Sequence, residues 1–233
     1  MLEQLQNIDT WLTLAVNGSH SLWLDAFALS ITSTMTWIAA AAMLLYVVIR
    51  NGEMKDILII IVALALCILL ADQIASGIFK PLVARYRPSN SPLIMLDIDI
   101  VADYRGGRYG FFSSHAANTF AVTTFTALLI RHKALTQSMI LWALANCWSR
   151  MYLGVHYAGD ILCGTICGIL VGWSVYKLAC RFLPRHCERS SHTLGSDIQT
   201  KTGFAIADAT LLATTLYASF IYSTFKALFC IYE

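Results

Sequence analysis

The sequence predicts an all-α integral membrane protein, a bundle of about six transmembrane helices with an N-terminal amphipathic helix on the membrane surface. Its 233 residues are 58% hydrophobic and 13% charged, against about 45–50% and 25% in an average soluble domain. Mean hydropathy is +0.63, and a soluble domain of this size could not bury so much apolar surface. The net charge of +2 is too small to indicate nucleic-acid binding.

The first residues predict the surface helix. Apolar and polar side chains alternate at helical spacing in 2–16, with Leu2, Leu5, Ile8, Leu12 and Ala15 on one face and Glu3, Gln6 and Asp9 between them. Asn17-Gly18 is expected to end this helix. Residues 1–9 have neither Lys nor Arg, so the positive region of a secretory signal is missing, and insertion is expected to use the first spanning helix.

Six apolar segments are candidates for the ~20-residue helices that span a bilayer. They are 26–49, 57–79, 116–130 (beginning near Ser113), 134–148 (continuing to about Tyr152), 161–179 and 204–225. We expect residues 1–183 to form the membrane-embedded core, 184–203 a polar linker and 204–233 an additional C-terminal transmembrane helix. Two acids fall inside the segments, and acids in a membrane are functional candidates. A supporting partner or helix contact is favoured for Asp72, and an interfacial position for Asp208.

The distribution of positive charges between the two ends of the helices predicts the orientation of the protein in the membrane. We call side A the side on which segment 57–79 ends and side B the side on which it starts. Side B holds nine cations, at Arg50, Lys55, Arg131, Lys133, Lys177, Arg181, Arg185, Arg189 and Lys201. Side A holds four, at Arg85, Arg105, Arg108 and Lys226, once Lys80, Arg87 and Arg150 are set aside for chemistry. The positive-inside rule then makes side B cytoplasmic. We therefore expect an inner-membrane protein whose side A faces the periplasm.

Three polar clusters stand at helix ends, and the helix count places all of them on side A. They contain Lys80, Arg87 and Pro88; Ser113, Ser114 and His115; and Ser149, Arg150, His156 and Asp160. Phosphoryl transfer needs positioned positive charge around the equatorial oxygens. Arg forks and Lys point charges supply it, and the hydroxyl of Ser113 and the amides that open a helix at Ser114 and His115 add donors.

Two histidines and a carboxylate complete the chemistry. His156 and Asp160 are four residues apart, which on one helical turn would put them on the same face. Asp160 would then fix the imidazole tautomer and leave the other nitrogen free to attack phosphorus. His115 is predicted to protonate the leaving oxygen and later to activate water. No carboxylate cluster for a divalent metal accompanies the set, so we expect no metal and no cofactor.

These clusters resemble the three signature motifs of the type 2 phosphatidic acid phosphatase superfamily, which includes vanadium haloperoxidases. K-x6-R-P is matched by Lys80, Arg87 and Pro88, and S-R-x5-H-x3-D by Ser149, Arg150, His156 and Asp160. P-S-G-H is matched in part, because Phe112 replaces Pro and Ser114 replaces Gly. The resemblance implies His156 as nucleophile, Asp160 as its orienter, His115 as acid and base, and Lys80, Arg87, Ser113, Ser114 and Arg150 as phosphate ligands.

The implied activity is hydrolysis of a lipid-linked phosphate at the outer membrane face. Lipid A, undecaprenyl diphosphate and phosphatidylglycerol phosphate are the substrates implied by the resemblance, and no obligatory protein partner is inferred. A lipid phosphotransferase, a vanadate-dependent haloperoxidase and a non-catalytic scaffold or transporter are the alternatives. Arg105 and Arg108, in the Gly-rich run 104–110, are candidate contacts for a second anionic group, and that run is interpreted as a flexible lip.

The other histidines and cysteines are expected to carry no chemistry. His20, His132, His186 and His192 are interpreted as incidental. The chain has seven cysteines, an odd number with no spacing typical of a disulfide framework, and most lie in apolar runs where a thiol behaves as a small hydrophobe.

Overall fold

The computed structural model of the chain describes residues 2–19, 21–187 and 198–229, so half of the predicted linker, together with His20 and His192, lies outside the described residues. Within these ranges the regular elements are α-helices and short 3-10 or π-helical turns, together with two isolated β-bridges. The helices are α1 Leu2–Val16, α2 Leu22–Thr32, α3 Ile38–Asn51, α4 Met54–Asp72, α5 Lys80–Val83, α6 Ser114–Ile130, α7 Lys133–Tyr152, α8 Ala158–Cys180, α9 Pro184–Cys187 and α10 Ile206–Phe229. The all-α prediction is confirmed.

The protein is an integral membrane protein. Three helical segments of the described chain are long and apolar enough to cross a bilayer, namely Thr34–Asn51, Met54–Val83 and Ala158–Cys180. Large apolar side chains point away from the protein on these segments, as at Leu58 and Leu162, which are 64% and 61% exposed. In water such exposure would be costly, whereas lipid tails are a favourable solvent for it. The helices α6, α7 and α10 run beside them, and a total of six spans stays a prediction.

The prediction of one continuous helix over 26–49 was wrong. The chain leaves helical geometry at Ser33, where ψ is 127°, and α2 and α3 are joined by a 3-10 turn. Hydroxyl side chains explain the break, since the Thr36 hydroxyl donates to the carbonyl of Ser30 at 2.6 Å. Such local bonds compete with the helical ladder. The break brings Thr32 to the side A surface, where it contacts Arg150.

The second span continues beyond its predicted end. After α4 the helix passes through a π-helical turn, Gln73–Phe79, into the single turn of α5. Ala84 ends it with a left-handed φ of 49°. Because a π-helical turn rotates the side chains that follow it, it sets the direction in which Lys80 leaves the helix. Such turns are frequent at functional sites.

The packing of α6 against α8 depends on a stripe of small residues. Gly164, Gly168 and Gly172 recur every fourth residue, and a Cβ on any of them would stand within 3.0 Å of a backbone carbonyl oxygen of α6 or of its N-cap, Ser113. Small residues at this spacing let two membrane helices approach closely. The close approach places the start of α6 directly beside the start of α8, and the amide of Ser113 donates to the carbonyl of Asp160 at 3.1 Å.

We therefore expect Gly168→Ala to destabilise the protein by about 1–3 kcal/mol through overpacking. At about 2–4 °C of melting temperature per kcal/mol for a chain of this size, the loss is measurable by thermal unfolding in detergent. The matched control is Gly107→Ala, because a Cβ there has no neighbour within 4 Å. Equal melting temperatures for the two variants would contradict this view of the helix contact.

At the side B end of the bundle, several contacts join residues that the sequence analysis did not connect. Cys180 and Cys187 are paired through their Sγ atoms, a pairing that the spacing of the cysteines did not indicate. His186 is buried rather than incidental: its Nε2 lies 3.3 Å from Asp56 Oδ2, and its Nδ1 donates to the Thr202 carbonyl at 2.8 Å. The physical reason is the turn through α9, which brings residues distant in sequence together.

Asp208 lies at the start of α10, as its interfacial interpretation predicts. Its Oδ2 accepts from the Asn51 side-chain amide at 2.8 Å, and the Asn51 Oδ1 accepts from the amide of Ala205 at 2.7 Å. These two bonds dock the beginning of α10 on the end of α3.

Candidate active site

The structure brings the three predicted clusters together at the side A end of the bundle. Arg87 contacts His156, Lys80 contacts Ser114, and the segment that opens α6 is bonded to Asp160. Arg150 and His115 lie near enough that their charges influence the imidazole of His156. The predicted phosphate ligands and catalytic residues therefore surround one point, although they come from four different helices and two loops.

His156 lies in the loop between α7 and α8, with only 1% of its surface exposed. Its Nδ1 is 3.3 Å from Asp160 Oδ2, and its Nε2 is 2.9 Å from the Arg87 Nη1. Because a guanidinium only donates, Nε2 is the acceptor of that bond. Nδ1 then carries the proton and donates it to the carboxylate. The ring is thus fixed with its unprotonated nitrogen toward the cationic residues.

The geometry of the His156–Asp160 pair differs from the predicted one. The two residues were expected on one helical turn, but α8 begins only at Ala158, and His156 precedes it. Asp160 instead folds back as a capping residue, its Oδ2 also accepting from the amide of Tyr157 at 3.1 Å. Capping satisfies one of the free amides at a helix start. A single carboxylate oxygen therefore both starts the helix and orients the imidazole.

Burial is the main cause that holds the pKa of His156 well below its ordinary value of 6.5. The positive charges of Arg87, Arg150 and Lys80 act in the same direction. A depressed pKa means that the imidazole is neutral at pH 7, which is the form that attacks phosphorus.

The pKa of His156 gives a pH-dependence prediction. Since the neutral form of His156 is active, kcat/KM is expected not to fall as pH drops through 6.5, and to decline only below the depressed folded pKa of His156. The measurement is kcat/KM between pH 4.5 and 8, corrected for titration of the substrate phosphate near about pH 6. An acidic limb with a midpoint at or above 6.5 would contradict a buried, neutral nucleophile.

Lys80 is held by a chain of hydroxyl and carboxylate groups. Its Nζ donates to Ser76 Oγ at 2.9 Å and to Ser114 Oγ at 3.1 Å. Ser76 in turn donates to Asp72 Oδ1 at 3.2 Å. Asp72 is therefore a supporting partner of Lys80, the role favoured for it.

The substitution of Ser for Gly at 114 is compatible with the backbone, because Ser114 begins α6 with ordinary helical geometry and its hydroxyl binds the lysine.

Both buried arginines keep a donor without a partner in the described part of the chain. Arg87 donates through Nη1 to the Val155 carbonyl, and Arg150 donates through Nη1 to Thr32 and to the hydroxyl of Tyr104, but the Nε of each arginine has no acceptor. A buried donor without an acceptor costs about 1–3 kcal/mol. Burial lowers the pKa of Arg87 to about 10, which leaves it charged at neutral pH. An anion with several acceptor oxygens would satisfy both groups.

The start of α6 adds further donors. Ser113 is its N-cap, fully buried, and its Oγ accepts from the amide of Ala116 at 3.4 Å. The hydroxyl proton of Ser113 remains available to a ligand. The amides of Ser114 and His115 are the first two of the helix and have no intrahelical acceptor. The positive end of the helix dipole therefore faces the same point as the cations.

The Gly-rich run is bonded to the segment that carries Arg87. The Arg87 amide donates to the Arg108 carbonyl at 3.2 Å, and the Gly110 amide donates to the Arg85 carbonyl at 2.9 Å. Gly106 has a φ of +66°, and a Cβ there would meet the Arg87 guanidinium at 3.3 Å. The run is thus a hydrogen-bonded cover over Arg87, which corrects its interpretation as a flexible lip.

Arg105 and Arg108 lie outside the cluster around His156. Arg105 pairs with Asp103 at 3.3 Å on the exposed surface, and Arg108 donates to the Tyr86 hydroxyl at 2.8 Å. Contact of these arginines with a second anionic group stays a prediction.

An apolar cavity of about 630 Å³ adjoins the site and includes His115 in its wall. Helices α3, α4, α6, α7 and α10 line it, with side chains such as Leu44, Leu64, Trp142 and Leu212. It extends as far as Val48, near the side B end of α3. A long apolar space that begins at a polar, cationic site suits a ligand with a charged head and hydrocarbon chains.

Sequence reasoning missed two residues next to Asp160. Arg85 Nη1 lies 3.2 Å from Asp160 Oδ1, and Arg85 Nη2 lies 2.7 Å from Asp9 Oδ2. Asp9 had been placed on the polar face of the surface helix, and Arg85 among the unassigned cations. The position of Arg85, two residues before Arg87, was the available signal. Nothing in the sequence pointed to Asp9.

Within the described residues no group of three or more His, Cys, Asp or Glu side chains is arranged to hold a metal.

The chain is similar to two proteins named lipid A 4'-phosphatase. A lipid A 4'-phosphatase of Bacteroides thetaiotaomicron is 41% identical over 186 residues, which are 79% of this chain and 83% of that protein. A lipid A 4'-phosphatase of Porphyromonas gingivalis is 34% identical over 177 residues, 76% of this chain and 75% of that protein.

The fold also has a counterpart among solved structures. A transmembrane PAP2 type phosphatidylglycerolphosphate phosphatase from Bacillus subtilis matches 76% of this chain and 87% of its own, with a TM-score of 0.54 at 22% identity. The sequence model of the PAP2 superfamily matches residues 56–182, more than half of the chain and all three clusters. The protein therefore belongs to the PAP2 superfamily.

Proposed function

We propose that this membrane lipid phosphatase removes a phosphate monoester from a lipid A-type glycolipid through a phosphohistidine at His156, on the outer face of the inner membrane. The observation that carries the proposal is the orientation of His156. Its Nδ1 faces Asp160 and its Nε2 faces Arg87, in a buried cluster that also contains Lys80 and Arg150. This is the arrangement that an in-line attack on a phosphate requires.

In the first step the phosphate takes the acceptor role that His156 Nε2 now fills for Arg87. Lys80, Arg87, Arg150 and the amides at the start of α6 bind its equatorial oxygens, and the free Nε donors of the arginines gain acceptors. The lone pair of His156 Nε2 attacks phosphorus while the bond to the lipid oxygen breaks. His115, which takes up a proton when the anionic phosphate binds beside it, donates that proton to the leaving oxygen, and Asp160 stabilises the positive ring through Nδ1.

In the second step water hydrolyses the phosphohistidine. His115, now neutral, accepts a proton from the water as the water oxygen attacks phosphorus on the side opposite His156. The N–P bond breaks and its electron pair returns to Nε2, which restores the neutral imidazole. Inorganic phosphate leaves, and His115 is protonated again for the next cycle.

The apolar cavity supports a substrate with acyl chains. His115 belongs to its wall, so a lipid whose leaving oxygen meets His115 would place its hydrocarbon beside α3, α4 and α10. Burying apolar surface contributes about 25 cal/mol per Å², and even one chain accounts for a substantial affinity. The two relatives named lipid A 4'-phosphatase favour a phosphorylated glycolipid over a diphosphate or a glycerophosphate.

The side A position of the site supports action at the outer face. The three clusters share that side with the long loop between α5 and α6, while the excess of unassigned cations lies on side B. By the positive-inside rule side B is cytoplasmic. A cysteine-labelling experiment on intact cells tests this orientation: a single cysteine at exposed Gly107 should react with an impermeant maleimide, and one at exposed Lys133 should not.

A phosphate-release panel tests the proposed substrate. The purified protein in detergent receives lipid A, undecaprenyl diphosphate and phosphatidylglycerol phosphate, and free phosphate is measured with His156→Ala as the background. Lipid A is expected to give the highest kcat/KM, with loss of one phosphate from the glucosamine backbone. A higher value on either other lipid would overturn the substrate, and labelled phosphate found on an acceptor lipid instead of in solution would favour the phosphotransferase alternative.

A further inference from the structure

The N-terminal helix α1 has two faces with different contacts. Its apolar side chains point outward, and Trp11 is 67% exposed, as expected for a helix lying in the membrane interface. Its opposite face meets the start of α8. Asp9 Oδ1 accepts from the amide of Gly159 at 2.7 Å, and Thr13 Oγ1 accepts from the amide of Ala158 at 3.2 Å. These bonds cap the helix that carries Asp160.

Arg85 joins Asp9 to Asp160. One terminal nitrogen of its guanidinium lies 2.7 Å from Asp9 Oδ2, and the other lies 3.2 Å from Asp160 Oδ1. The guanidinium also lies over the ring of Tyr157, with Cζ 3.7 Å from the ring centroid. Three partners from α1, α8 and the preceding loop therefore fix a side chain that is otherwise long and flexible.

The two carboxylate oxygens of Asp160 have different partners, which explains why Arg85 needs Asp9 as a second partner. Oδ2 receives the Tyr157 amide and faces His156 Nδ1, while Oδ1 receives Arg85. An arginine with both terminal nitrogens free tends to form a bidentate pair with a carboxylate. Such a pair would occupy Oδ2 as well and draw it away from His156. Because Asp9 occupies the other nitrogen, Arg85 holds Asp160 through one oxygen only.

We propose that Asp9 is a positioning residue for the nucleophile, acting on His156 through Arg85 and Asp160. The inference rests on the proposed function of His156, and it adds the membrane-surface helix to the active site. Asp9 lies outside residues 56–182, the range that the PAP2 sequence model matches. The charge of Asp9 keeps Arg85 in its single-oxygen contact, and its other oxygen holds the start of α8 in place.

The test is a set of variants assayed on the lipid phosphate that the wild-type protein hydrolyses best. Asp9→Asn keeps an acceptor for the Gly159 amide and removes the charge. By analogy with the outer partners of positioned imidazoles, it should lower kcat by about 10–100-fold, with KM changed less than about twofold because no substrate contact is lost. Asp9→Glu should recover most of kcat. The double variant Asp9→Asn/Arg85→Gln should be no slower than Arg85→Gln alone, because Asp9 acts through Arg85.

Two controls separate positioning from anchoring. Thr13→Val removes the neighbouring bond between α1 and α8 without touching Arg85, and should lower kcat less than about fivefold, the equivalent of the ~1 kcal/mol of one ordinary hydrogen bond. Glu3→Gln, on an exposed part of α1, should match the wild type. The proposal is overturned if kcat of Asp9→Asn stays within twofold of the wild type, or if Thr13→Val lowers kcat as much as Asp9→Asn does. It is also overturned if the fold-loss of kcat in the double variant equals the product of the fold-losses in Asp9→Asn and Arg85→Gln. A wild-type protein that releases no phosphate from any lipid would instead overturn the proposed function, and this inference with it.

Discussion

Replacing His156 with alanine is expected to lower kcat for phosphate release by about 10⁴–10⁶-fold, the loss typical of removing a nucleophile. Within the described structure no other imidazole sits at the centre of the cationic residues with one nitrogen on a carboxylate. His115 cannot replace it, since it lies on α6 beside the apolar cavity, where the leaving group is proposed to sit. In this variant KM should be nearly unchanged, because Lys80, Arg87 and Arg150 still bind the phosphate of the substrate.

The control for this variant is His132→Ala. His132 is a helix cap at the opposite end of the bundle, where its Nδ1 accepts from the Leu135 amide at 3.3 Å. It should keep wild-type kcat and show at most a small loss of stability, because one cap is worth about 1 kcal/mol. Retention of more than a hundredth of the wild-type rate by His156→Ala would mean that another group attacks phosphorus.

Replacing Arg87 with alanine is expected to have the second largest effect, lowering kcat/KM by about 10³-fold, at the upper end of what one transition-state donor supplies. Arg87 contacts both the nucleophile and the Val155 carbonyl, and its buried Nε awaits an acceptor. Arg87→Lys should recover only part of the activity, because an ammonium cannot make the planar, forked contact of a guanidinium.

The pH profile distinguishes loss of charge from loss of structure in this variant. Arg87 is, after burial, the first cause that depresses the pKa of His156. Without it the folded pKa of His156 rises toward 6.5, so the imidazole becomes protonated at a higher pH, and the acidic limb of kcat/KM should move upward. Lys133→Ala, an exposed cation on side B, is the control and should leave both the rate and the profile unchanged. An acidic limb that does not move would contradict the electrostatic coupling of Arg87 to His156.

Much of the helical frame was predictable, because apolar periodicity and capping residues are local signals. The surface helix was predicted at 2–16 and is observed at Leu2–Val16, with Gly18 in the left-handed region after it. The predicted start near Ser113 and end near Tyr152 agree with the bounds of α6 and α7. The break at Ser33 was not predicted, since hydropathy does not distinguish a helix from two helices joined by hydroxyl-to-backbone bonds.

The cluster at side A was predictable in composition and less so in geometry. Motif spacing and helix count together brought the eight proposed site residues to one end of the bundle. The contact of Asp160 with His156 could not be derived in its observed form, because it depends on where α8 begins. The contact between Asp9 and Arg85 joins residues 76 positions apart. Only tertiary packing of the surface helix on α8 creates it, and no local pattern marks it.

The substitution at Ser114 shows how tertiary context changes the meaning of a motif position. A glycine there would be free to adopt a left-handed φ, but Ser114 is the first residue of α6 and has ordinary helical geometry. Its hydroxyl accepts from Lys80 at 3.1 Å. The departure from the P-S-G-H pattern thus adds a contact to the lysine rather than removing an amide donor.

The phosphohistidine at His156 is tested most directly by trapping it. The wild-type protein is mixed with lipid A carrying labelled phosphate, quenched in alkali within one turnover, and digested for mass spectrometry under conditions that preserve phosphoramidates. We expect label on the peptide that contains His156, labile to acid and absent from His156→Ala. Turnover with no label on His156 at any quench time, or label on a serine or on His115, would contradict nucleophilic attack by His156.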